Sequence, residues 1–419
     1  VKKCLFRSIL PLVCFIVSST AAFALDWEIH PGILASCEYS DNYFGVSNFQ
    51  NPQSDTTYNV GPTLDFRIAS QRIVFNFSGY VTKDYHKRNT QDDSEEALVE
   101  SGLNLTGNTQ LMNLNYSYRR TLQRQSLDMT WGEYTYHTGV AEYRKNFSDS
   151  DSINLRYIYE QDLAPEDPVY SVSNDLKINT GEMLLEFSPT QKNEVDLSVR
   201  VQDYKYASYL RDNILTSVAD GVWMYGISQD FRSGLEAACT VNNPSRDPDS
   251  LIYEGFLRAE YRLTQYITIF AKAGYTCLQH DAAGSTGKAA GELKIERLTD
   301  SDHFILFGSK DFSYDYTTGS TYGMYEITAA SLSWEHMFIR EFSVIVNGSL
   351  TERKPESRLQ NGTTDRFASL TLKYMPFEWL TVNGTYNNLN TQYTEINVED
   401  GNTDTKRENR YMIEIEMRY

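Results

Sequence analysis

The chain has 419 residues, a formal net charge of −18 and a mean hydropathy of −0.48. An acidic balance of this size excludes nucleic acid as a natural partner. No Pro/Ser-rich linker or shift in composition divides the chain, no Cys/His group has the spacing of a metal site, and no cofactor signature is present, so it reads as one large domain without metal or cofactor.

The N-terminus carries Lys2, Lys3 and Arg7, an apolar run over residues 9–17, and Ala22-Phe23-Ala24. These are the basic, apolar and small-x-small parts of a cleavable export signal, and the run is shorter than the roughly 20 residues of a spanning helix. Residues 1–24 are expected to be a signal peptide and residues 25–419 one exported domain. The exported part keeps Cys37, Cys239 and Cys277, three cysteines far apart in sequence, read as small packing residues rather than a disulfide framework.

After residue 25 no apolar stretch is long enough for a spanning helix, and alternation takes over. Tyr58, Val60, Pro62, Leu64, Phe66 and Ile68 are separated by Asn59, Gly61, Thr63, Asp65 and Arg67. The same period of two recurs in Ile153, Leu155, Tyr157 and Tyr159, in Val195, Leu197, Val199 and Val201, in Tyr253, Leu257, Ala259 and Tyr261, and in Leu380, Val382 and Tyr386. It is clearest at the end, where Tyr411, Ile413, Ile415, Met417 and Tyr419 oppose Met412, Glu414, Glu416 and Arg418. A helix would spread these charges around its circumference; a strand sorts them to one face. The terminal set resembles the signal by which outer-membrane barrels are recognised for assembly, with Tyr in place of the usual Phe. Tyrosine is abundant, with 30 residues, and Tyr85, Tyr118, Tyr143, Tyr206, Tyr275, Tyr374 and Tyr393 stand near segment ends, as the rings of an aromatic girdle would.

Short breaks fall at Ser70-Gln71-Arg72, Gly107-Asn108, Asp149-Ser150, Pro189-Thr190, Ser233-Gly234, Leu263-Thr264-Gln265, Asp300-Ser301, Ile339-Arg340 and Pro376-Phe377, with longer polar stretches between them. Nine short turns alternating with long loops predict a single transmembrane antiparallel β-barrel of about 20 strands, range 16 to 22, with both termini in the periplasm. The first strand is expected to begin almost at once after residue 25, so no plug or periplasmic domain is expected ahead of the barrel.

The alternation assigns an inner wall. Arg119, Arg156, Arg200, Arg258, Arg262, Lys272 and Lys294 are expected there, with Glu182, Glu186, Asp196, Glu254, Glu260, Glu292, Glu296, Glu414 and Glu416. Such charges are costly against lipid, up to about 2–4 kcal/mol for a mid-depth Arg or Lys, and cheap in a hydrated lumen. Opposed charges on one wall mostly solvate and pair with each other. The chain lacks Gly-x-Ser-x-Gly, Walker and His-Glu-x-x-His motifs, and its six histidines are scattered, so it is not read as an enzyme.

The opening hairpin adds a resemblance. Tyr39-Ser40-Asp41-Asn42-Tyr43-Phe44 is followed by Ser54-Asp55-Thr56 and Val60-Gly61-Pro62. This resembles the porin-like outer-membrane β-barrel proteins found beside exopolysaccharide and exosortase gene clusters, in which an Asp-Asn pair closes the first strand and a Ser-Asp pair precedes the second. Tyr43 stands where Ile or Val is usual. The likeness covers residues 33–68, implies an accessory barrel for polysaccharide export, and carries no binding residues with it. The turn chemistry of Asp41-Asn42 and Ser54-Asp55 would by itself start and end a loop. The leading expectation is a pore for polar solutes or exported polysaccharide, with outer-membrane lipids and the barrel-assembly machinery as partners and the oligomeric state open. A non-conducting adhesive or anchoring barrel is the alternative, and an outer-membrane enzyme a more remote one.

Overall fold

The computed structural model describes residues 26–43, 52–90, 93–124, 131–164, 175–207, 213–245, 249–280, 284–314, 324–355, 362–394 and 405–418. The signal-peptide expectation therefore lies outside the described residues. Twenty strands follow in chain order: β1 (Asp26–Ser40), β2 (Asp55–Ala69), β3 (Ile73–His86), β4 (Ser94–Thr106), β5 (Gln110–Arg124), β6 (Trp131–Asn146), β7 (Ser152–Leu163), β8 (Leu176–Thr190), β9 (Asn193–Tyr206), β10 (Ile214–Gly226), β11 (Phe231–Pro244), β12 (Ser250–Thr264), β13 (Ile267–His280), β14 (Gly284–Leu298), β15 (Asp302–Tyr314), β16 (Met324–Ile339), β17 (Phe342–Pro355), β18 (Gly362–Phe377), β19 (Leu380–Thr394) and β20 (Thr405–Arg418). Each pairs antiparallel with the next, and β1 pairs with β20 from Gly32↔Arg418 to Ser40↔Arg410, closing the sheet into an all-β barrel. Closure pairs the two terminal strands with each other along Gly32–Ser40 instead of leaving both as free edges.

The registers fix the barrel's dimensions. Followed strand by strand around the wall, they return to β1 displaced by about 24 residues, which for 20 strands gives a tilt of ~40° and a backbone diameter of ~40 Å. Nine short turns lie at one end, together with the start of β1 and the end of β20; the longer connections lie at the other. The turns are held by local polar chemistry. Ser70 Oγ accepts the Ile73 N–H at 3.1 Å; Asp151, which accepts the Ser188 N–H at 3.0 Å and is held below the usual carboxylate range by that bond and by the hydroxyls of Ser148 and Ser150, ties the β6–β7 turn to β8.

One predicted turn is wrong. Ser233-Gly234 lies inside β11, and the reversal occurs over residues 227–230, where Ser228 Oγ accepts the Phe231 N–H at 3.0 Å. Gly234 serves close approach rather than turning: a Cβ there would collide with the Trp223 carbonyl and sit 2.8 Å from Met224 Sδ on the neighbouring strand.

The two faces differ as the alternation predicts. Buried side chains such as Thr82, Thr180, Thr216, Asn242, Thr276 and Glu408 share the inner face by register, because side chains on the concave side of a wall converge and cover one another. Large exposed apolar residues point outward, among them Val60, Leu155, Leu197, Leu257, Leu370 and Ile413. Aromatic rings bound this apolar band: Trp27, Phe187, Trp223, Tyr261, Phe377 and Trp379 toward the turn end, and Tyr39, Tyr58, Tyr85, Tyr253, Tyr275 and Tyr411 toward the loop end. Tyr253 and Tyr261 on β12 are ~20 Å apart along the barrel axis at this tilt, close to the ~25 Å apolar band of a membrane barrel. Tyr206 and Tyr393 depart from the girdle expectation, since the registers turn them inward and Tyr206 is buried. Cys37, Cys239 and Cys277 are free thiols that register places on the outer face.

Candidate functional site

Register carries all twelve named wall residues, Arg119, Arg156, Arg200, Glu254, Arg258, Glu260, Arg262, Lys272, Glu292, Lys294, Glu414 and Glu416, to the inner face. The strands place them in cross-strand rows: Arg156↔Glu182↔Arg200 on β7–β9 and Arg258↔Lys272↔Glu292 on β12–β14. Glu182 bridges Arg156 at 3.4 Å and Arg200 at 2.7 Å. Glu236 bridges Arg258 at 3.0 Å and Lys272 at 3.4 Å, while Lys272 also approaches Glu292 at 3.8 Å. Arg119 meets Glu96 at 3.2 Å, Lys294 meets Glu296 at 2.9 Å, and Arg232 joins Glu194 and Glu260. Phe256 and Phe270 lie beneath two of these cations, with Lys272 4.7 Å and Arg258 5.0 Å from the ring centroids. Partly hydrated pairs of this kind, whether across strands or along one, contribute about 0.2–1 kcal/mol each. Their main effect is to neutralise the wall locally and hold its long side chains against it.

Glu236 and Arg232, central to this lattice, are absent from the sequence reading for an identifiable reason. Ser233-Gly234, taken as a turn, interrupts the alternation Arg232, Gly234, Glu236 that turns both residues inward.

The wall is not uniform. On β16–β19 the mid-height inner positions are uncharged: Ser333 donates to Asn347 at 2.8 Å, Asn347 to Ser369 at 3.4 Å, and Thr371 and Thr385 share a hydrogen bond at 3.2 Å. Near the loop end Ile214, Ile252, Leu278 and Phe312 form a buried apolar cluster.

The opening-hairpin motif gathers at the seam where β1 meets β20. Beyond the last ladder pair, Asp41 accepts the Asn409 backbone N–H at 2.7 Å and its side-chain amide at 2.6 Å, and Asn42 Nδ2 donates to the Arg407 carbonyl at 2.9 Å. Asp55 accepts the N–H groups of Arg88 at 3.0 Å and Asn89 at 3.1 Å, and Arg88 also donates to Ser54 Oγ at 2.8 Å. Asp41, Asn42, Ser54 and Asp55 thus pin both ends of the first loop to β20 and to the β3–β4 connection. Tyr39 and Pro62 face outward, Tyr39 with its ring 6.2 Å from that of Tyr411; Phe44 lies outside the described residues. Tyr411, Ile413, Ile415 and Met417 of the terminal set also face outward, and Tyr419 lies outside the described residues.

No family model and no curated protein matches the chain. Solved structures do. The siderophore receptor PirA from Acinetobacter baumannii aligns over 94% of this chain and 80% of its own, at 10% identity and a TM-score of 0.55. A mutant of the ferric enterobactin receptor PfeA from Pseudomonas aeruginosa aligns over 94% and 80%, at 8% identity and a TM-score of 0.54. The alcaligin outer-membrane receptor FauA from Bordetella pertussis aligns over 92% and 76%, at 13% identity and a TM-score of 0.53. At such identities the likeness is one of architecture, and this chain has the fold of the outer-membrane β-barrels.

Proposed function

We propose that the protein spans the outer membrane as a water-filled pore for polar solutes, and that its solute class is an exported, hydroxyl-rich polysaccharide. The observation that carries the pore is a closed 20-stranded wall whose inner face is polar and internally ion-paired, with every described strand belonging to the wall itself. A barrel of ~40 Å backbone diameter is too wide for its own side chains to fill. The outer face, apolar between two aromatic belts, suits hydrocarbon, whereas the ion-paired rows would be expensive there. A cleaved leader over residues 1–24 and insertion by the barrel-assembly machinery complete this reading.

The polysaccharide part is supported by the opening hairpin's resemblance and by a wall rich in amides, hydroxyls and neutralised charges. Single-channel recording in planar bilayers tests the pore. Discrete openings are expected, and a correctly folded barrel that stays silent refutes it. Deletion of the gene is expected to reduce surface polymer while cytoplasmic precursors persist; unaltered surface polymer refutes the polysaccharide role and leaves the pore.

A further inference from the structure

The inner wall of β2–β6 contains a recess of about 600 Å³, a size typical of small-ligand sites. Two cross-strand rows build it. Arg67, Asn76, Gly102 and Asn115 oppose one another in the first, and Asp65, Ser78, Glu100 and Ser117 in the second. Gly102 makes the hollow, because it contributes no side chain between the amides of Asn76 and Asn115, and a Cβ there would stand 2.8 Å from Asn115 Oδ1. The rim is already satisfied, with Arg418 3.2 Å from Asp65 and Arg67 3.5 Å from Glu28.

The floor is different. Among the described residues, Asn76, Ser78, Glu100, Asn115 and Ser117 have no side-chain hydrogen-bond or ion-pair partner, while the charged rows of β7–β14 are bonded to one another. Two amides, two hydroxyls and one carboxylate line this concave surface, open to solvent and with no other protein group among the described residues taking up their hydrogen bonds. Amides offer a donor and an acceptor side by side, and a carboxylate accepts from adjacent hydroxyls. A carboxylate with no cation beside it repels an anionic ligand.

Resting on the conduit reading above, we propose that this recess binds a sugar unit of a passing glycan, and that Glu100 excludes units bearing acidic groups. The ligand class is a neutral or amino-bearing saccharide rather than a uronate.

The test is calorimetric titration of the detergent-solubilised full chain with cellotetraose, glucosamine tetramer and tetragalacturonate, with folding checked by heat-modifiable electrophoretic migration. The first two bind, and tetragalacturonate binds at least about tenfold more weakly. Gly102→Leu, which fills the hollow, and the pair Asn76→Ala with Asn115→Ala each weaken cellotetraose by about tenfold or more. Should Gly102→Leu fail to fold, the double alanine variant carries the test. Glu100→Gln brings tetragalacturonate close to cellotetraose, and Ser331→Leu, across the barrel on β16, changes nothing. A folded wild type that binds none of the three, binds all three equally, or loses affinity as much through Ser331→Leu overturns the proposal. Conduction without sugar binding overturns this site alone; binding without conduction overturns the pore alone.

Discussion

Glu236 is the residue whose removal the ion-paired wall should feel most clearly. It bridges Arg258 at 3.0 Å and Lys272 at 3.4 Å, and its side chain is only 14% exposed, against 25% and 24% for its partners. Glu236→Gln keeps the shape and removes the charge. Two cross-strand pairs at about 0.2–1 kcal/mol each are weakened, and Arg258 and Lys272, directly opposed on β12 and β13, lose the anion that screens their repulsion. Lys272 retains Glu292 at 3.8 Å, which limits the damage. The expected cost is about 1–2 kcal/mol at low ionic strength. Urea unfolding of the barrel in detergent, followed by intrinsic tryptophan fluorescence, measures it. In 1 M salt, where the screening length is about 3 Å, the difference from wild type should shrink by half or more. A cost above about 4 kcal/mol, or one indifferent to salt, would refute the view of these pairs as hydrated and individually modest.

Three further outcomes follow from the same geometry. Leu370 and Thr371 are neighbours on β18 that face opposite ways at mid-height, so Leu370→Arg should cost about 2–4 kcal/mol in lipid while Thr371→Arg leaves the unfolding midpoint nearly unchanged. Gly234→Val should destabilise by roughly 1–3 kcal/mol in urea titration, because the new side chain meets the Trp223 carbonyl rather than a movable tip. Asp41→Ala should free the seam end of the first loop at a cost of about 1–3 kcal/mol, seen as faster protease cleavage there on intact cells with single-channel conductance retained. Unchanged cleavage and stability would show that the Asp-Asn pair does something other than pin the loop.

Strand number and facing were legible in the sequence because a two-residue period sorts side chains without reference to any partner. Val195, Leu197, Val199 and Val201 could be assigned to one face from spacing alone, and they share it. Register was not legible, since it depends on which residue of one strand meets which of the next. The recess on β3–β5 was therefore hidden: Asn76, Gly102 and Asn115 are ordinary residues until the ladder brings them together. Alternation also misleads where an inner position is apolar. Ile214, Ile252 and Leu278 look like lipid-facing residues, yet they pack against one another on the inner side near the loop end. Glycine was ambiguous in a further way, because a close strand approach at Gly234 and a chain reversal use the same residue type.

The sorting of alternate side chains is tested most directly by single-cysteine labelling along β18. The native thiols Cys37, Cys239 and Cys277 face outward and should contribute little background in a bilayer. With cysteine placed in turn at positions 370, 371, 372 and 373, a water-soluble maleimide added to the protein in liposomes should modify 371 and 373 and spare 370 and 372. Equal labelling of all four, or labelling of 370 and 372 alone, would contradict a closed wall with hydrocarbon on one side and water on the other.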